Sequence, residues 1–231
     1  MRKLGIIGGI SWVSTRSYYE EINRQVQART DRRHSAPLAI ESIDFSQVYR
    51  LQEPEEWTRA TEVLTEAGRN LERSGAGALV IAANTMHKVY DKVAEGVNIP
   101  IFHIAEAVGV KMAADGVKTA ALFGTRNAMT ESFFRRRLVA HGVDLLPPNM
   151  DDAEALDRII YEELMVGKVT RDAERTLKTM ITQKEQDGAK AIVLASTELD
   201  RVVDVDANVL PIYDSTRIHA QRAAEWILGE D

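Results

Sequence analysis

The segment "GAGALVIAANT" at residues 75–85 recurs without a gap as "GAKAIVLASTE" at residues 188–198. One offset of 113 residues relates Gly75 to Gly188, Ala83 to Ser196, Asn84 to Thr197 and Thr85 to Glu198. The flanks repeat at nearly the same spacing: "GIIGGIS" returns loosely as "ALFGTRN", Gly8 on Gly124, and "IPIFHIAEA" as "LPIYDSTRIHA", Pro100 on Pro211. A chain built from two copies of one pattern is expected to fold as two similar halves related by an approximate two-fold. Equivalent strand ends would then meet a ligand from opposite sides of a cleft.

The repeated pattern is α/β. Apolar, β-branched runs at 3–8, 37–44, 78–83, 99–104, 118–124, 191–195 and 209–213 read as strands. Longer stretches of helical period separate them, and two of these, "EEWTRATEVLTEAGRNLERSG" and "DAERTLKTMITQKEQDG", close on Gly75 and Gly188 as helix stops. Alternation of strand and helix predicts mostly parallel sheets flanked by helices, with function at the carboxyl ends of the strands. The order of the repeats predicts one domain from residues 1–102 plus 209–231 and a second from 103–208, with the active site in the interdomain cleft.

Bulk properties narrow the function. A net charge of −6 argues against a dedicated nucleic-acid binder, and the one dense basic spot, Arg135 to Arg137, lies in a helical pattern and reads as a solvated face. No apolar run is long enough to cross a membrane. The start "MRKLGIIGGISW" reads as a buried first strand in preference to a signal peptide, so a cytoplasmic location is expected. The chain has no cysteine, which removes disulfides, thiolate metal sites and thiol nucleophiles. No metal or cofactor is expected. His34, His87, His103, His141 and His219 are scattered without metal-ligand spacing; His87 stands out because it follows Ala83 by one helical turn. The glycines of "GIIGGIS" lack dinucleotide spacing and suggest a tight strand-to-helix turn, with the amides of Gly9 to Ser11 open to a carboxylate.

Five blocks in order, "GIIGGISWVSTRSYY", "ANTMHK", "LFGTRNAM", "IIYEELMVGK" and "STEL", resemble the aspartate/glutamate racemase family across essentially the whole chain. The resemblance implies a racemase independent of pyridoxal phosphate, two pseudo-symmetric α/β domains, a homodimer, and an acidic amino acid bound between the domains. In that family one cysteine precedes "NT" and another precedes "TE"; one removes the α-proton and the other protonates the opposite face. Inversion at one carbon requires such a pair on opposite sides.

The matching positions here are Ala83 and Ser196. Alanine has no proton to move, and a serine hydroxyl is no base near neutral pH without an activating partner. Three readings stay open: deliberate replacement of both cysteines by their usual substitutes; a natural divergent member performing decarboxylation, isomerisation or elimination through Glu198 or His87; and a carboxylate-binding module without catalysis. The resemblance further implies substrate contacts from Gly9, Ser11, Asn84, Thr85, Gly124, Thr125, Thr197 and Glu198, with Arg50 the candidate partner for a distal carboxylate. Several relatives carry a lysine where this chain has Val166, with Lys168 beyond. Trp12 and Tyr18 are expected in the core or the cleft wall, the core being favoured.

Overall fold

A computed structural model describes residues 1–230, and the chain divides into two compact units, Met1–His103 with His219 onward, and Ile104–Ile218. The first unit contains β1 (Leu4–Gly8), α1 (Trp12–Arg29), β2 (Leu38–Ser42), α2 (Pro54–Arg73), β3 (Ala78–Ile81), α3 (Tyr90–Glu95) and β4 (Ile101–Phe102). The second contains α4 (Ile104–Ala114), β5 (Thr119–Gly124), α5 (Arg126–Thr130), α6 (Ser132–Ala140), β6 (Asp144–Leu145), α7 (Met150–Glu162), α8 (Arg171–Gln186), β7 (Ile192–Ala195) and β8 (Ile212–Asp214). The last helix, α9 (Ser215–Leu228), starts in the second unit and continues into the first.

Both sheets are parallel and share one topology, β2-β1-β3-β4 and β6-β5-β7-β8. The central strands β1, β3 and β7 are buried along their whole length, as parallel strands covered on both faces must be. In the first unit Ile7, Leu79 and Ile81 pack against Leu64 and Leu71 of α2, while Leu4, Ile6 and Val80 pack against Tyr18, Ile22 and Val26 of α1. In the second unit Phe123 and Leu194 meet Leu156, Leu177 and Ile181, and Leu122 and Val193 meet Val108, Phe134 and Leu138. Each such side chain stabilises its unit by about 1.5–3 kcal/mol on burial.

Local signals set the helix limits. Proline at the first position of α2, with the Glu56 carboxylate accepting from Glu53 N at 3.0 Å, starts that helix. Its buried positions Trp57, Ala60, Leu64, Ala67 and Leu71 follow the helical period. Gly75 and Gly188 lie just beyond α2 and α8 at φ +88° and +100°, where a side chain would be strained.

The repeat places "LPIY" over "IPIF", and β8 occupies in the second sheet the edge that β4 occupies in the first. This departs from the expectation that residues 209–231 all return to the first half. Ile192 N donates to Pro211 O at 2.9 Å, and Leu210 is buried in the second core, so the strand stays there. The return falls at His219, and it is Ala220, Ala223, Ala224 and Ile227 of α9 that enter the first core. Conversely α4, which follows β4, places Ile104, Val108 and Met112 in the second core. The helix after each edge strand has changed units. Trp12 departs from the favoured core reading: at the first turn of α1 it is 63% exposed, whereas Tyr18 is fully buried. No helix among the described residues is long and apolar enough to cross a membrane.

Candidate functional site

In each sheet the chain leaves the first strand to one side and returns on the other, so the strand order reverses between β1 and β3, and between β5 and β7. Ligands of open parallel sheets bind outside the carboxyl ends of strands at such a switch point. The residues singled out from sequence lie there: Gly9, Ser11, Ala83, Asn84 and Thr85 in the first unit, Gly124, Thr125, Ser196, Thr197 and Glu198 in the second.

In the first unit, Gly9 has φ +79°, and a Cβ there would stand 2.1 Å from Ile43 O. Only glycine fits. Its amide is not open to a carboxylate as expected, because Gly9 N donates to Thr15 Oγ1 at 2.8 Å. Ser11 Oγ caps α1 by accepting from Ser14 N at 3.4 Å. Both residues therefore shape the turn. Ala82 N donates to Ile7 O at 2.9 Å, extending the β1–β3 pairing to the edge of the loop. Ala83, 9% exposed, follows, and Asn84 and Thr85 are buried. Arg50 is the one non-glycine residue at positive φ among the described residues, at +45°; its guanidinium lies 5.9 Å from the ring centre of Tyr49.

His87 lies in the 3-10 turn Thr85–Val89 and its Nδ1–H donates to Ala83 O at 2.9 Å, which fixes its tautomer. Three of the five histidines, spread along the sequence, are gathered here: the ring of His87 lies 4.6 Å from that of His103 and 5.8 Å from that of His219. Phe102 O accepts from Nε2–H of His219 at 3.0 Å, so Nδ1 is the nitrogen that accepts from Tyr18 Oη at 2.7 Å. Burial, with His87 nearby, pushes His219 down to about 3. It is a neutral link between α9, α1 and β4.

In the second unit, β5 and β7 approach so closely that a Cβ on Gly124 would stand 2.5 Å from Ala195 O. Thr125 is buried and caps α5, its Oγ1 accepting from Ala128 N at 3.4 Å. Ser196, Thr197 and Glu198 are all buried. Ser196 Oγ and Thr197 Oγ1 each donate to the same oxygen, Glu198 Oε2, at 3.0 Å. The hydroxyl at position 196 thus has a carboxylate partner, a contact that its neighbours' spacing did not predict.

Two acids escaped the sequence reading. Asp200 follows Ser196 as His87 follows Ala83, and Asp214 follows Pro211 as His103 follows Pro100, so the repeat itself held the signal. Burial, with Asp214 and Glu198 nearby, pushes Asp200 up to about 7; its Oδ1 is buried with no hydrogen-bond partner. Asp214 Oδ1 accepts from Thr216 N at 2.8 Å.

The remaining candidates are structural or exposed. Arg135 is half-buried and donates to Leu146 O at 3.1 Å, with burial lowering its pKa, so the basic run is not wholly a solvated face. His141 caps α6 and contacts Glu106 Oε1 at 2.7 Å. His34, Val166 and Lys168 are exposed.

Two parallel α/β units with matched, polar strand-end loops define a doubled α/β fold. Known proteins place it more closely. The Asp/Glu/hydantoin racemase family matches residues 7–223, and the chain belongs to that family. A candidate Asp/Glu racemase from Yersinia pestis is 37% identical, with 99% of this chain and all of that one covered at a TM-score of 0.89. PH1733, an aspartate racemase homologue from Pyrococcus horikoshii OT3, is 32% identical over 99% of this chain and all of its own, with a TM-score of 0.85. The broad specificity amino-acid racemase RacX of Bacillus subtilis is 20% identical over 186 residues, which cover 73% of this chain and 72% of RacX.

Proposed function

We propose that this racemase-family chain binds a small acidic amino acid or related carboxylate without a cofactor and, with alanine at 83 and serine at 196, does not racemise it. The carrying observation is the pair of strand-end residues. The Ala83 methyl offers no proton, and the Ser196 hydroxyl is already donated to Glu198. Two-base inversion needs a group that gains a proton and one that loses it. Asn84, Thr85, Thr125 and Thr197 are the proposed partners of the α-carboxylate, and Arg50 of a distal carboxylate. An arginine held at φ +45° supports that choice, since a strained non-glycine backbone persists where its surroundings hold it. A cytoplasmic homodimer remains part of this reading.

The Ser196–Glu198 hydrogen bond favours one second reading: chemistry that needs a proton on one face only, such as decarboxylation of a related acid.

Incubation of aspartate and glutamate enantiomers in deuterium oxide, followed by NMR of the α-proton, tests the proposal. The chain as written should leave the α-proton in place, and Ala83→Cys with Ser196→Cys should racemise. Exchange by the unaltered chain would overturn it. Silence from the double variant with substrate bound would favour the one-face reading, and absence of binding in calorimetry would overturn both.

A further inference from the structure

The first sheet has an open edge. Among the described residues β2 pairs with β1 alone, and its ladder uses alternate positions: Leu4 N donates to Pro37 O at 3.0 Å and Ile43 N to Gly8 O at 2.9 Å. The odd-numbered residues from 37 to 43 therefore turn their backbone groups to β1. The N–H and C=O groups of Leu38, Ile40 and Ser42 point outward, where no strand of this chain receives them. Natural edges are blunted by inward charges, lysine, proline or bulges. Within the strand this one is not: Leu38, Ala39 and Ile40 are apolar, and Glu41, its one charge, accepts from Asn70 of α2 at 3.0 Å on the opposite face.

An exposed face of α1 borders that edge. Asn23 Oδ1 accepts from Ala36 N at 2.9 Å, two residues before β2, so the helix face shared by Trp12, Arg16, Tyr19 and Asn23 overlooks the strand. Tyr19 and Ile40, 49% and 40% exposed, join Trp12 in an apolar strip. Arg16 is exposed beside them, its guanidinium 6.0 Å from the centre of the Trp12 ring.

We propose that this edge and helix face bind a second copy of the chain, β2 pairing antiparallel with its own copy about a two-fold at Ile40. The register is palindromic. Ile40 faces Ile40, and Leu38 faces Ser42 of the second copy, so every outward residue falls in a pair that exchanges both hydrogen bonds. The opposed side chains are uncharged. α1 lies over β1 and β2, because Tyr18 and Ile22 pack with Leu4, Ile6 and Leu38. With strands about 4.8 Å apart, the two copies of α1 then run antiparallel about 10 Å apart, a normal helix-packing distance. Tyr18 packs on Ile6, and Ile6 pairs with Ile40, so the two-fold passes α1 near Tyr18 and Tyr19. Arg16 of one helix thereby faces Glu20 and Glu21 of the other, and the surface is complementary in charge to itself. The inference rests on the homodimer of the proposed function and supplies its surface.

Sedimentation equilibrium and amide hydrogen exchange of the full chain test it. The unaltered chain should be a dimer at micromolar concentration. Ile40→Lys sets two ammonium groups against each other at the two-fold and should be monomeric, with the amides of Leu38 and Ser42 exchanging at least about a hundredfold faster than in the parent. The amides of Ala39 and Glu41, bonded to β1, should stay protected in both, which reports that the strand is intact. Tyr19→Glu should also give a monomer, and it decides the matter if Ile40→Lys does not fold. Arg16→Glu should raise the dissociation constant at least about tenfold, and adding Glu20→Arg should recover it. A chain that stays monomeric would overturn both this surface and the homodimer. A dimer of unchanged affinity in the variants, or one whose Leu38 and Ser42 amides exchange freely, would overturn the surface and leave the homodimer standing.

Discussion

His87 and Asp200 hold the same place in the two halves of the chain, each four residues beyond the strand-end position, Ala83 or Ser196. Each lies in a 3-10 turn. The histidine donates to the carbonyl of Ala83, whereas the acid carries a buried oxygen with no donor. His103, directly after β4, and Asp214, the last residue of β8, repeat the contrast at the ends of the edge strands. One unit therefore backs its strand-end loop with imidazoles and the other with carboxyl groups, although the backbones share one topology. The two units are alike in packing and topology and differ in the ionisable groups behind their strand-end loops.

Removing the donor behind position 83 should loosen that loop. His87→Ala leaves Ala83 O without its side-chain donor and opens a buried space among Tyr90, His103 and His219. A loss of about 2–4 kcal/mol in urea unfolding is expected, combining the missing hydrogen bond and the cavity. Loss below about 0.5 kcal/mol would show that the hydrogen bond does not hold the loop.

Two buried groups should act on stability with opposite pH slopes. His219 falls from its ordinary 6.5 to about 3 on folding, so the unfolded chain binds more protons between these values. Its contribution is constant above pH 6.5 and is lost as pH falls toward 3, at up to about 1.4 kcal/mol per unit. Asp200 rises from 3.8 to about 7, so the folded chain binds more protons between those values. Its contribution is therefore lost as pH rises from 3.8 to 7. In the unaltered chain the two slopes oppose each other between 3.8 and 6.5. Urea unfolding across pH should show Asp200→Asn gaining stability relative to the parent as pH rises through that window, and His219→Gln gaining as pH falls through it. Parallel curves for either variant and the parent would remove that residue from the linkage.

Much of this fold is readable before any coordinates. The ungapped repeat fixes two parallel units, and Gly75 and Gly188 mark where α2 and α8 stop. The exchange of α4 and α9 was not readable, because a repeat records the succession of strand and helix and not the core in which the helix packs. Trp12 misled for a related reason: its size suggests burial, but the first turn of α1 leaves it exposed. Ala83 and Ser196 were found by resemblance between copies. Asp200 and Asp214 were missed because the copies differ there, and the difference is itself the chemical feature.

Glycine substitutions should separate steric need from backbone need. Gly9→Ala meets both a positive φ and the backbone of Ile43 at 2.1 Å, which cannot move aside without shifting β2's end. A loss of at least about 3 kcal/mol is expected. Gly188→Ala meets no atom within 4 Å and carries only the conformational penalty of φ +100°, about 1–2 kcal/mol. Thermal unfolding that ranked the two in reverse would contradict the close approach of β1's exit to Ile43.

Glu198 should control the acidity of any thiol placed at 196. Its Oε2 lies 3.0 Å from Ser196 Oγ in a buried setting, so a sulfur there would sit beside a carboxylate. Burial and a neighbouring negative charge both disfavour a thiolate, and each raises a thiol pKa. In Ser196→Cys the thiol should therefore titrate at least about one unit above an ordinary cysteine, followed through the ultraviolet absorbance of the thiolate. Adding Glu198→Gln keeps an acceptor for Thr197 and removes the charge, and it should bring the midpoint down by about one unit or more. The same change should speed alkylation of that thiol at neutral pH about tenfold, because the thiolate is the reacting form. An unchanged midpoint would mean that the carboxylate turns away once sulfur replaces oxygen. Glu198 would then hold the serine loop in this chain without governing proton transfer at 196.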